Sequence, residues 1–110
     1  MSDGNVDGRL ILKGSTLQEM HRVHWLHPDW KHGWGIGFAI TRQDDRTIVG
    51  HGGWLAGYRT EIGFCPEEKI GVVVLTNADD GKPELYLKQI FALLAPALKK
   101  AAASATSVAT

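Results

Sequence analysis

The run Ile70-Gly71-Val72-Val73-Val74-Leu75-Thr76 is the part of this chain with the least conformational freedom. β-Branched side chains are stiff at χ1 and pack well on a pleated surface, so the run reads as a strand. Its nearly continuous apolar character predicts a central strand covered on both faces. Just upstream, Tyr58, Thr60, Ile62 and Phe64 alternate with Arg59, Glu61, Gly63 and Cys65, which is the two-residue period of another strand. Between the two runs, Pro66-Glu67-Glu68-Lys69 places a proline where a type I turn wants its fixed φ, and the pair reads as a hairpin.

A second hairpin is expected before it. Trp34, Ile36, Phe38 and Ile40 alternate with Gly35, Gly37, Ala39 and Thr41, a strand with one bulky and one small face. Gln43-Asp44-Asp45-Arg46 is a polar turn, and Thr47 to His51 is the returning strand. Helices are expected on either side of this sheet. Leu17, Met20 and Val23 lie at helical spacing, Thr16 and Glu19 form a capping-box pattern, and Pro28 ends the segment. Pro83 opens a C-terminal helix carrying Leu87, Ile90, Phe91, Leu94 and Leu98, with Pro96 as an expected kink. The fold class is therefore α+β: an antiparallel sheet of about four strands in two hairpins, packed by two helices. Residues 1–14 read as a flexible arm or short strand, 15–100 as the folded lobe, and 101–110 as a disordered tail.

Composition removes several function classes. With 110 residues, 44% hydrophobic and 22% charged, the chain has the balance of one globular domain, and a chain of this size buries roughly 65% of its unfolded surface. Twelve basic and twelve acidic residues cancel, so no electrostatic footprint for nucleic acid or a membrane surface is present. No apolar run approaches the ~20 residues needed to cross a bilayer. The single Cys65 cannot form an internal disulfide, which leaves the compartment open.

The chemistry concentrates in His51-Gly52-Gly53-Trp54, reached through Thr47-Ile48-Val49-Gly50 and followed by Gly57-Tyr58-Arg59-Thr60. Two glycines after an imidazole mark either a tight turn or a strand edge that another molecule approaches closely. Taken with Trp34-Gly35-Ile36-Gly37-Phe38 upstream and Gly71 to Asn77 downstream, the ordered set resembles the C-terminal part of serine β-lactamase-like hydrolases. That family includes class C β-lactamases, DD-peptidases and related esterases, and the resemblance covers about residues 15–100.

The resemblance implies acyl transfer on a small β-lactam, D-amino-acid peptide or ester, without a cofactor. His51 falls at the Lys of the family's K-T-G strand, Gly52 at the Thr and Gly53 at the Gly. His51 would then serve the substrate carboxylate or the proton shuttle, with Gly52 and Gly53 as substrate-binding positions. The Trp54 backbone N–H would be one of two oxyanion-hole donors. The remaining parts are not encoded. No serine has a lysine three residues on, neither Tyr58 nor Tyr86 begins Y-x-N, and there is no G-x-S-x-G. The 110 residues are thus expected to lack the family activity by themselves, and the alternative is a non-catalytic binding or assembly module. Because the N-terminal half of the resembled fold covers an edge and a face of the sheet, a homodimer is expected.

Other constellations carry weaker expectations. His21, His24 and His27 recur every three residues with His32 beyond, a spacing that drifts around a helix, so no metal site is expected. Cys65 with His51 could form a thiol and base, against the simpler reading of a small buried hydrophobe. Trp25, Trp30 and Trp34 read as core, whereas Trp54 follows a glycine pair and is as suited to bordering a pocket. Arg59 and Glu61 read as a solvated ion pair. Asp44-Asp45 and Asp79-Asp80 read as turn and helix-start residues.

Overall fold

The computed structural model describes residues 3–109. Two short strands, β1 (Asn5–Val6) and β2 (Arg9–Leu10), pair as an antiparallel ribbon, followed by helix α1 (Gly14–His21). Six strands then form the main sheet: β3 (Trp25–Leu26), β4 (His32–Trp34), β5 (Ala39–Gln43), β6 (Arg46–Leu55), β7 (Tyr58–Cys65) and β8 (Ile70–Thr76). They pair antiparallel in chain order, and α2 (Pro83–Ala109) packs across one face. The α+β class stands as read from the sequence, with six strands in the main sheet where about four were expected.

Antiparallel partners share a face, so the register assigns the two sides of the sheet. One side carries Ile48, Gly63, Cys65, Val72 and Val74. On it Leu87 and Phe91 of α2 build the core with Ile48 and Cys65. Gly63 permits this closeness, since a Cβ there would stand 3.0–3.1 Å from the Leu87 methyls and Ile48. Pro83 opens α2 where the missing N–H costs nothing, and the Lys82 carbonyl receives the Leu85 and Tyr86 N–H groups. The opposite face holds Ile40 and Val49, both buried, and an edge-to-face cluster of His21 with Phe38 and Phe64 at centroid distances of 4.9 and 5.3 Å.

Several local expectations are corrected. The alternating segment Trp34–Ile40 is a hairpin: β4 ends at Trp34 and β5 begins at Ala39, with Gly37 at φ +77° between them. The turn docks on the end of α1, where Ile36 donates its N–H to the Met20 carbonyl and any side chain at Gly35 would collide with that carbonyl. Trp34 is consequently 43% exposed, and Trp25 and Trp30 are exposed too, so none of the three is core. Helix α1 begins at Gly14 and is capped by Lys13 without a side-chain bond. Thr16 is therefore internal, and Glu19 turns to Arg22 at 2.8 Å and lies 3.4 Å from His24. The helix ends at His21, well before Pro28.

The Ile70–Thr76 strand is not central. It forms an edge of the sheet, with Val72 and Val74 under α2 while Val73 and Leu75 are exposed on the other face. Finally, α2 continues through Ala109 where a tail was expected from residue 101. Alanine is the strongest helix former, and Ala101-Ala102-Ala103 carries the helix on; Thr110 lies outside the described residues. The radius of gyration is 15.8 Å, against about 13 Å for a compact chain of this length.

Phe91 is fully buried against three elements of this core, so Phe91→Ala should cost about 3–5 kcal/mol of stability. Urea unfolding measures it, and a loss below about 1 kcal/mol would show that α2 is not held by this contact.

Candidate functional site

Strand β6 is longer than its neighbour on one side. Its first half, Arg46–Gly50, pairs with β5, whereas Val49–Leu55 pairs with β7. Among the described residues no strand pairs with His51–Leu55 on the β5 side, so the H-G-G-W segment is a local edge inside a six-stranded sheet. The alternation of ladder bonds then fixes which backbone groups face that gap. Arg42 donates its N–H to the Lys31 carbonyl, so even-numbered residues of β5 bond β4 and odd-numbered ones bond β6. Carried through the register, Ile48 and Gly50 bond β5, while Val49, His51, Gly53 and Leu55 bond β7. The N–H and C=O groups of Gly52 and Trp54 therefore point into the gap.

Glycine suits this edge for a steric reason. A side chain at Gly50 would collide with the Ile62 carbonyl, and a Cβ at Gly53 would stand 2.5 Å from Thr60 Oγ1. At Gly52 it would meet only the movable end of the Glu61 side chain, Oε2 at 2.8 Å, so the steric demand there is weaker. The bare backbone at 52 and 53 leaves the strand approachable from the gap.

His51 is exposed and folds back on its own edge. Its Nδ1 lies 2.6 Å from the Gly52 carbonyl. A carbonyl only accepts, so Nδ1 carries the hydrogen and donates it, leaving Nε2 as the basic nitrogen of the neutral ring. The Trp34 ring meets the imidazole edge to face at 5.9 Å and limits its rotation. On the other face, beside Gly52, the Glu61 carboxyl is pushed up from its ordinary range, mainly by burial and further by Glu84, with His51 opposing the rise.

Beyond Gly53 the strand runs to a two-residue turn, Ala56-Gly57, with Gly57 at φ +85° as the third residue of a type II turn requires. The turn is tied to the loop after β8. Asp79 Oδ1 accepts the Gly57 N–H at 2.7 Å and the Trp54 Nε1–H at 3.3 Å. Those two bonds, then the Arg59 charge, hold its carboxyl below the ordinary range. Arg59 lies 5.8 Å from the Trp54 ring centroid, a cation–π contact in place of the expected pair with Glu61. Thr76 donates its hydroxyl to the Arg59 carbonyl at 2.7 Å, which ties β8 to the same corner.

The other sequence candidates do not join this site. Cys65 is buried under α2, at the far end of β7, on the face opposite His51, so no thiol–imidazole pair forms. The remaining histidines scatter: His21 packs between Phe38 and Phe64, with burial lowering its pKa. His24 donates Nε2–H to the Glu19 carbonyl, and His32 bonds Asp29. Asp29, which also accepts the Lys31 and His32 N–H groups, is held well below the carboxylate range. Asp79 was the residue whose part in the site a turn-type reading of the sequence missed. Its signal is weak, a carboxylate three residues after the strand end Thr76.

Similarity to known proteins gives the family. The family model described as Beta-lactamase matches residues 4–96. The chain belongs to that family. D-aminopeptidases from Brucella ovis, Brucella canis and Brucella abortus are each 30% identical to it over 61 residues, which is 56% of this chain and 12% of each relative. The chain thus spans about an eighth of the length of those curated relatives. No solved structure matches significantly. Among the described residues no helix is long and apolar enough to cross a membrane.

Proposed function

We propose that this chain is the sheet-bearing C-terminal lobe of a serine β-lactamase-like hydrolase, whose reaction is acyl transfer on a β-lactam, a D-amino-acid peptide or an ester. The observation that carries the reading is the outward-facing edge formed by Gly52 and Trp54 beside an imidazole with its Nε2 free. In acyl transfer a carbonyl oxygen gains charge as the tetrahedral intermediate forms, and a fixed backbone N–H directed at it stabilises that charge. The Trp54 N–H is suited to that role. His51 Nε2 can accept or return a proton, while Gly52 and Gly53 let a substrate lie along the strand. The relatives' name, D-aminopeptidase, supports a D-amino-acid peptide as one candidate substrate in this reading.

The nucleophile belongs elsewhere in this reading. Neither S-x-x-K nor Y-x-N occurs in the 110 residues, so the lobe alone supplies donors and a proton relay without a group to attack the acyl carbon. One further observation favours assembly with another chain, as the non-catalytic alternative also requires. Leu55, Tyr58, Ile62, Val73 and Leu75 are exposed on one face of β6–β8, where apolar side chains form a continuous patch. Self-association of that face would close most simply as a two-fold dimer.

Two measurements test these statements separately. The purified chain should not turn over a chromogenic cephalosporin, a nitrophenyl ester or a D-alanyl nitroanilide above background; stoichiometric labelling by a serine-reactive phosphonate would overturn the assignment of the nucleophile to another segment. Light scattering at low micromolar concentration should give the mass of a dimer. A monodisperse monomer with a cooperative thermal transition would show that the patch needs no partner.

A further inference from the structure

Asp79 has no part in the chemistry proposed for His51 and Trp54, yet it holds the hairpin that presents them. We infer that Asp79 is a positioning residue, a clamp that fixes the tip of the β6–β7 hairpin and with it the direction of the Trp54 N–H. The inference rests on the proposed role of the Gly52–Trp54 edge, and it adds the element that sets that edge's geometry.

The argument begins with an imbalance in the structure. His51–Leu55 is supported by a strand on one side only, so half of its ladder partners are missing. A hairpin arm held along one side is free to twist, and the outward N–H groups would swing with it. Trp54 is 73% exposed, so burial cannot be what fixes its side chain. Three polar contacts do so instead. One Asp79 oxygen receives both the turn N–H of Gly57 and the indole N–H of Trp54, so a single carboxylate pins the turn and the side chain next to it. Arg59 from β7 stacks on the free part of the indole, and its backbone carbonyl is held by Thr76. Backbone torsion at Trp54 is thereby restricted from three directions, by its ladder partner Arg59, by its indole and by the turn that follows it.

A carboxylate suits this position better than a neutral acceptor. Ionised, it makes both bonds charge-assisted. The lowered pKa of Asp79 is the thermodynamic image of those contacts, and it extends the ionised clamp to more acidic pH. Arg59 is the charged group that faces it from β7; no titratable side chain faces it from the turn residues Ala56 and Gly57, and Asp80 and Lys82 follow in its own loop. Because the folded pKa lies below the ordinary 3.8, the clamp is intact above that value and is released only as the pH falls through the lowered one.

The test uses the ¹⁵N-labelled chain without any substrate, so its outcome is independent of whether the lobe serves a hydrolase. In the native chain the Gly57 amide and the Trp54 indole resonances should move together in an acid titration, at a midpoint below 3.8. Asp79→Ala should speed Gly57 amide exchange roughly tenfold and shift the backbone amides of Gly52 and Trp54, while those of Gly63 and Val72 stay in place. Asp79→Asn keeps an acceptor oxygen and should restore the native amide positions but abolish their acid titration. Trp54→Phe, which deletes the indole donor alone, should loosen the same amides to a smaller extent and decides the matter if the alanine variant does not fold. Unchanged Gly57 and Trp54 signals in Asp79→Ala, or asparagine behaving like alanine, would overturn the inference.

Discussion

A strand that outruns its neighbour is the constraint on which the rest of this molecule depends. β6 is ten residues long and β5 is five, so the sheet is two-sided up to Gly50 and one-sided after it. The first half can be buried, and it is: Ile48 and Val49 are core. The second half cannot, since a gap lies where the next strand would be. Two polar groups per outward-facing residue are left at the gap, and one of them, the Gly52 carbonyl, is taken up by the neighbouring imidazole. The step in the sheet thus sets the tautomer of His51 and the direction of the Trp54 N–H together.

Stability and availability are separated along the same strand. Leu87 and Phe91 clamp the face that carries Ile48 and Cys65, and the glycine at 63 brings the helix close. Burial of several large side chains there is the main favourable term for a domain of this size. The far end of β6 is held by hydrogen bonds to Asp79 and a stacked arginine, contacts that fix geometry without covering the strand. Under the proposed function, a site built this way would stay open to a small acyl compound while its donors stay fixed, as transition-state stabilisation requires.

Much of this was legible in the residues, and the failures share a cause. The period-two pattern of Tyr58–Cys65 and the helical spacing from Leu87 to Leu98 gave the correct elements, because local periodicity is what they report. Trp34–Ile40 also alternates, but its glycines serve a tight turn against the end of α1, a tertiary contact that alternation does not encode. Val72–Leu75 reads as a strand buried on both faces, yet composition does not say whether anything is present to cover the second face. Thr16 and Glu19 match a cap pattern inside a helix already begun at Gly14. At the candidate site, His51 and the glycines are proposed from their ordered neighbours, whereas Asp79 acts across 22 to 25 residues of chain and carries no local mark.

The central claim is the direction of the backbone at the gap, and residue-resolved amide hydrogen exchange in the native chain tests it most directly. The account predicts an alternation: the amides of His51 and Gly53, bonded to β7, exchange at least ~100-fold more slowly than those of Gly52 and Trp54, which face the gap. Uniform protection from 51 to 54, or protection at 52 and 54 with fast exchange at 51 and 53, would contradict it.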